Sequence, residues 1–132
     1  MTDSPLICDD EGGGVIDPVH FNDGSQNWII WKVDGNALGG ATSCTGGEKS
    51  DEYKPTWIKI QRVSKDGLSL EGDATNIYNN AGKADDGVVE GPAMYKRRPG
   101  SYVSSIPGSG NPSIPPFLGP RPLQVSLING GR

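Results

Sequence analysis

The segment Gly87–Tyr95, with the sequence GVVEGPAMY, sets a single carboxylate in an otherwise apolar, strand-like run and follows it at once with Gly-Pro. Burying a charge without a partner costs several kcal/mol. Glu90 is therefore either paired, turned to solvent on a half-exposed strand, or kept partly dry for proton transfer. Taken alone, the segment leaves these three interpretations open.

A second segment has the same design. Residues 15–21, with the sequence VIDPVHF, place Asp17 in an apolar run with a proline directly behind it. Each of the two segments is followed by a glycine turn and then by an aromatic strand. The repeat therefore predicts that Asp17 and Glu90 occupy matching places on the first strands of two similar units.

The composition favours an all-β fold. The chain of 132 residues is long enough for one modest domain, its hydrophobic content is 33%, and it contains 20 Gly and 11 Pro, which fits short strands joined by many turns. A net charge of −4 supplies no basic stripe for nucleic acid. The cluster Lys96-Arg97-Arg98 is interpreted as the solvated end of a hairpin.

The ends of the chain differ from its middle. Residues 1–14 form a predicted polar leader with neither a signal peptide nor a membrane-spanning run. From Ile106 onward six of the eleven prolines fall between Pro107 and Pro122, so residues 105–132 are predicted to be a disordered tail, with a PxxP ligand for an SH3-like module as the alternative. So abrupt a change indicates a truncated gene model or a read-through of non-coding sequence.

The middle, residues 15–104, reads as a succession of strands and turns. The segment Trp28–Val33 is apolar enough to be buried on both faces. The glycine-rich segment over residues 34–54 is long for a structural connection and is typical of a functional loop at the rim of a domain. Residues 73–86 are predicted to be irregular. The predicted strands are Ile16–Phe21, Trp28–Val33, Pro55–Val63 with one covered face, Leu68–Gly72 as a short outer partner, the Glu90 segment, and Ser101–Ser104, which stops early.

Each repeat unit is about four strands long, which is typical of a β-propeller, where the first strand of each blade lines the central channel. At these residues the sequence resembles glycoside hydrolase family 43, the five-bladed propeller β-xylosidases, α-L-arabinofuranosidases and arabinanases. The pieces that carry the resemblance are Ile16-Asp17-Pro18 with Phe21 and Asp23-Gly24, the Trp28–Trp31 strand followed by Asp34-Gly35-Asn36, the Ser64–Leu68 turn, and Val89-Glu90-Gly91-Pro92.

The resemblance implies a partial five-bladed β-propeller of about one and a half to two blades, in an extracellular enzyme that cleaves xylan or arabinan by an inverting mechanism. Glu90 would be the general acid and Asp17 the carboxylate that orients it and modulates its pKa. The family's catalytic base lies N-terminal to the matching residues, and none of Asp3, Asp9 and Asp10 has the apolar strand context of such a base. The chain is therefore expected to be an inactive fragment.

Aromatic, histidine and cysteine side chains add weaker signals. Trp31 is a candidate for sugar stacking, although core packing is the better interpretation of a tryptophan on a strand. His20 reads as an ordinary strand side chain. Cys8 and Cys44 match neither a metal site nor a CxxC motif, so no cofactor is predicted and their pairing is left open. The alternative to an enzyme fragment is a non-catalytic carbohydrate-binding β module.

Overall fold

A computed structural model describes residues 4–39, 53–82, 87–97, 100–107 and 123–125, with residue 97 and the last two ranges described by their backbone alone. Within these ranges the chain forms seven β-strands and a short 3-10 helix over Gly35–Leu38. The strands are β1 Val15–Asn22, β2 Asn27–Val33, β3 Ile58–Val63, β4 Leu70–Tyr78, β5 Val89–Arg97, β6 Gly100–Pro107 and β7 Leu123–Val125.

The strands form two antiparallel sheets. The first has the order β1-β2-β3-β4 and the second the order β5-β6-β7, so neighbours in each sheet are also consecutive along the chain. The predicted all-β class is confirmed. No helix in the described parts of the chain is long and apolar enough to cross a membrane.

The turn between β1 and β2 is held by one carboxylate. Asp23 Oδ1 accepts the backbone N–H groups of Ser25 and Gln26, each at 2.8 Å, which is the way a turn aspartate fixes the backbone that follows it. The other oxygen, Oδ2, accepts the Trp28 indole N–H at 2.8 Å. The predicted hairpin of the first two strands is therefore confirmed, with the turn anchored to the start of β2.

The core lies between the two sheets. In the register of the first sheet Ile30 lies opposite Ile60, and side chains of such a pair share a face. These two isoleucines form one buried cluster with Phe21, Ile58 and Val89, the last from β5. The inward face of the first sheet therefore packs against the start of the second sheet.

The outward face of the first sheet also contains buried side chains. Trp31 and Val33 of β2 are 3% and 4% exposed, which confirms the predicted burial of this strand on both faces. On β3 the side chains of Gln61 and Val63 are buried as well as those of Ile58 and Ile60. The prediction that this strand has one covered face was therefore wrong. The alternation of apolar and polar residues from Trp57 indicated that the polar ones are exposed, whereas Gln61 is buried.

The strands β3, β4 and β6 differ from the predicted bounds, β3 because it begins at Ile58 rather than at Pro55. β4 extends to Tyr78 although residues 73–78 were predicted to be irregular, because an exposed edge strand pairs through its backbone and needs no apolar pattern. β6 continues to Pro107 rather than stopping at Ser104, and Leu123–Val125 pairs with it, so the predicted tail is not without structure throughout. Residues 40–52, 83–86, 108–122 and 126–132, which include Cys44 and most of that tail, lie outside the described residues.

The first strands of the two sheets, β1 and β5, contain the same bulge. In β1 the residues Asp17 and Pro18 together lie opposite Trp31, and in β5 the register shifts in the same way at Gly91 and Pro92. Asp17 has φ 53° and Gly91 has φ 54°, both in the left-handed region that a bulge of this kind requires at its first position. Proline is tolerated behind it because a bulge leaves its N–H without a ladder partner.

We expect opposite effects of substitution at the two equivalent bulge positions. Asp17→Gly relieves a left-handed conformation that costs a residue with a Cβ about 1 kcal/mol, so it raises the free energy of unfolding by up to that amount. Gly91→Ala imposes the same conformation on a Cβ and lowers it by about 1–2 kcal/mol. Urea denaturation measures both. Gly91→Asn serves as the control, since asparagine tolerates this region and loses less; equal effects of Ala and Asn would argue against the bulge.

Candidate active site

β1 and β5 lie side by side and run in the same direction. Near their starts, Lys32, which lies opposite Ile16 of β1, forms an ion pair with Glu90 of β5. Near their ends, Lys96 of β5 donates a hydrogen bond to the carbonyl of Asp23, one residue beyond β1. Asp17 and Glu90 therefore lie at the same end of the structure, where the two bulges occur.

The two carboxylates are offset by one residue. With the bulges superposed, Asp17 corresponds to Gly91, and Glu90 corresponds to Ile16, the residue before the bulge. The repeat was correct in placing both acids on equivalent strands, but their positions within those strands do not match. The sequence shows this offset once the prolines are aligned, because Asp17 directly precedes Pro18 whereas Gly91 separates Glu90 from Pro92.

Glu90 is bound to a lysine that the sequence analysis did not select. The Lys32 ammonium contacts Glu90 Oε1 and lies 3.3 Å from Asp34 Oδ1, and the lysine side chain is 1% exposed. The Glu90 side chain itself is 40% exposed, so one part of it is held by the lysine while another part is open to a ligand. The available signal was a lysine inside the apolar run WIIWKV, which is the same kind of anomaly as Glu90 itself.

Asp17 is exposed and makes no side-chain hydrogen bond or ion pair with another residue in the described part of the chain. We expected it to be the charged neighbour of Glu90. The charge bonded to Glu90 is instead the Lys32 ammonium, of opposite sign. Asp17 thus lies at the same end of the structure as Glu90, but the side chain that contacts Glu90 directly is Lys32 of β2.

The tryptophans have three different environments. Trp31 is buried opposite the β1 bulge, so its ring packs inside the protein and presents no face to a sugar. Trp28 packs against the core and donates its indole N–H to Asp23. Trp57 is partly exposed and lines a cavity. Of the three, Trp57 is the one placed for stacking on a ligand.

That cavity has a volume of about 250 Å³ and lies where β2 ends and β3 begins, at the same end as the bulges. A salt bridge at its wall joins Lys59 Nζ to Asp9 Oδ2 at 3.5 Å. Because Lys59 follows Ile58 on β3, its side chain points to the opposite face of the sheet from Lys32 and Glu90. The lining residues are Asp9, Glu11, Gly12, Val33, Gly35, Leu38, Pro55, Trp57 and Lys59.

The remaining candidates have local roles. His20 is exposed, with Nε2 3.0 Å from Asn27 Oδ1, as expected of an ordinary strand side chain. Cys8 is a free, exposed cysteine whose thiol donates to Asp10 Oδ1 at 3.2 Å, and this hydrogen bond raises the pKa of the thiol. Across the described ranges, no group of three or more His, Cys, Asp or Glu side chains is placed to hold a metal ion.

With this geometry established, we compared the chain with known proteins. No protein-family model, no curated protein and no solved structure matches it. The assignment of a function therefore depends on the arrangement of the residues described above.

Asp23 provides a pH-dependent test of the hairpin that carries Asp17. Partial burial alone would raise the pKa of Asp23, but the hydrogen bonds from Trp28, Ser25 and Gln26 together lower it to about 2. The ordinary value is 3.8, so the stabilisation is complete above about pH 4 and is lost as the pH falls through about 2. We expect Asp23→Asn to cost about 1 kcal/mol at neutral pH, because solvent screens this partly exposed site.

The measurement is urea denaturation of the wild type and Asp23→Asn at several values from neutral pH down to about pH 2. The difference between the two proteins should shrink toward the acid end, where the wild-type carboxylate is protonated. A difference that stays constant over this range would show that the charge of Asp23 does not stabilise the turn.

Proposed function

We propose that this chain is part of a glycoside hydrolase that cleaves O-glycosyl bonds of pentose-containing plant polysaccharides by an inverting acid/base mechanism, with Glu90 as the general acid. The observation that carries the proposal is the pair of parallel first strands with the same bulge, which bring Glu90 and Asp17 to one end of two adjacent sheets. In this proposal the first sheet is one blade of a five-bladed β-propeller, and β5 is the inner strand of the next blade.

The chemistry assigns different tasks to the two acids. An inverting glycosidase protonates the leaving oxygen with one carboxylic acid while another carboxylate, about 6.5–9.5 Å away, activates water. Glu90 is partly exposed and its carboxylate is held in place by Lys32. Because a neighbouring ammonium favours the ionised form of a carboxyl group, the proposal requires Glu90 to take up a proton before each turnover. Asp17, exposed on the neighbouring strand and held in a left-handed conformation, is assigned the task of orienting the general acid.

The water-activating base is not assigned to any described residue. Among the acids of the leader, Asp9 has a carboxylate that accepts the Gly12 N–H at 2.9 Å and is bridged to Lys59 on the opposite face of the sheet from Glu90. It therefore cannot deliver water to a sugar bound at Glu90.

We predict that the purified chain does not hydrolyse aryl β-xylosides or α-L-arabinofuranosides at a measurable rate. General-base assistance to water contributes about 10²- to 10⁴-fold, and none of the described residues is assigned that task. Release of the aryl alcohol is followed by absorbance, with Glu90→Gln as the matched control. Hydrolysis that is present in the wild type and lost in this variant would contradict the prediction.

Azide tests the role of Glu90 directly, since it can replace the activated water as an external nucleophile. A phenyl glycoside needs protonation of its leaving oxygen, whereas a dinitrophenyl glycoside does not. We expect azide to give the inverted glycosyl azide from both substrates with the wild type, and from the dinitrophenyl substrate alone with Glu90→Gln. Equal turnover of the phenyl substrate by both proteins would remove Glu90 from the mechanism.

The second candidate function is a non-catalytic carbohydrate-binding β module, and the cavity beside Trp57 favours it. An aromatic face next to carboxylates and an ammonium suits a sugar ring and its hydroxyl groups. Titration with xylo- and arabino-oligosaccharides, followed by NMR, separates the two functions. A binding module predicts that Trp57→Ala abolishes binding, that Trp57→Phe keeps most of it, and that Glu90→Gln and Asp17→Asn leave it unchanged.

A further inference from the structure

The Lys32 ammonium is the most deeply buried charge among the side chains that the structure describes. Its side chain is 1% exposed, and a buried ammonium is strongly unfavourable unless it is paired. It has two acidic partners, Glu90 and Asp34, although one carboxylate would be enough to balance its charge. The second partner therefore calls for an explanation.

The two partners differ in origin. Asp34 follows β2 directly and is two residues from Lys32, so it stays close to the ammonium through the local chain. Glu90 comes from the second sheet and is the more exposed of the two, with 40% of its side chain accessible against 27% for Asp34. The arrangement thus combines a permanent local partner with a distant one that also faces outward.

We propose that Lys32 is a positioning residue that holds the Glu90 carboxylate in place and remains paired with Asp34 when Glu90 takes up a proton. This role of Lys32 rests on the proposed function, since a general acid must hold a proton before each turnover. This change of counter-ion involves only Lys32, Glu90 and Asp34, so it can be tested without measuring enzymatic activity.

The Lys32 ammonium has a counter-ion in both states. In the first state one ammonium is shared by two carboxylates. When a proton from solvent adds to a Glu90 carboxyl oxygen, the ion pair between Lys32 and Glu90 is replaced by a neutral contact, and the ammonium keeps Asp34 at 3.3 Å as its counter-ion. Without Asp34, the same protonation would leave the buried ammonium uncompensated, which is the costly outcome.

The other elements around Lys32 contribute few titratable groups. β3 presents the apolar Ile58 and Ile60 to this side, and the sequences of β6 and β7 contain no charged residue. Lys59 and Asp9 lie on the opposite face of the sheet. The titratable groups nearest in register are Asp17 of β1, next to the residue opposite Lys32, and Tyr78 of β4, opposite Ile58.

The experiment follows the Lys32 ammonium by NMR in the full chain labelled with ¹⁵N-lysine. A buried, ion-paired ammonium exchanges its protons slowly enough to give a resolved signal, which Lys32→Met identifies by its loss. We expect the signal to shift but persist in Glu90→Gln and in Asp34→Asn, and to disappear in the double variant. Asp9→Asn is the matched control, because it removes a carboxylate from Lys59 and should leave the Lys32 signal unchanged.

The pH dependence of the Lys32 ammonium signal distinguishes a change of counter-ion from an ion pair with a purely structural role. As the pH is lowered, Asp34→Asn should lose the signal when Glu90 is protonated and Glu90→Gln should lose it when Asp34 is protonated, whereas the wild type should keep it to the lower of these two pH values. Loss of the signal in Glu90→Gln alone, or identical pH profiles of the wild type and Asp34→Asn, would overturn the proposal. If the double variant does not fold, the single variants and their pH profiles decide the question, and absent azide turnover would count against the proposed function only.

Discussion

The ion pair between Lys32 and Glu90 is the interaction on which the rest of the structure depends. Lys32 projects from the first sheet into a region lined by isoleucine, and its distant partner comes from the second sheet. Replacing such a pair with apolar residues is often harmless, whereas removing one partner is strongly destabilising. Val89, next to Glu90, belongs to the core formed with the first sheet. The contact that packs the two sheets together and the ion pair of the candidate site are therefore made by adjacent residues of β5.

The repeated bulge explains how strands that contain proline can form the inner edges of the two sheets. A proline within a regular ladder would remove a hydrogen bond, but behind a left-handed residue in a bulge it removes none. Glycine is the residue suited to that first position, and β5 uses Gly91 there. β1 uses Asp17, a less favourable choice for the backbone. A strained acidic residue where its structural counterpart is glycine is better explained by its carboxylate than by the fold.

The sequence predicted the parts of the structure that depend on local chemistry. The first hairpin follows from two apolar runs around a turn aspartate, and Glu90 was selected because it interrupts an apolar strand. β4 was underestimated because an exposed edge strand has no apolar pattern to detect. Lys32 was overlooked because a lysine in a strand usually extends its ammonium to water, and its burial depends on the second sheet, which no local pattern encodes. The one-residue offset of the two acids was accessible, because aligning Pro18 with Pro92 places Asp17 opposite Gly91, but the two segments were matched on their acids instead.

The two faces of the first sheet separate two kinds of chemistry. Side chains alternate along β3, so Ile58 lies on the side of Lys32 and Glu90, while Lys59 lies on the side of the cavity. A sugar held beside Trp57 could not reach Glu90 without passing around the end of the sheet. Under the proposed mechanism, the carboxylate that activates water must therefore approach from the side of β1 and β5, at the end where both strands begin. The cavity beside Trp57 lies on the other face of the sheet, so it cannot contribute that carboxylate.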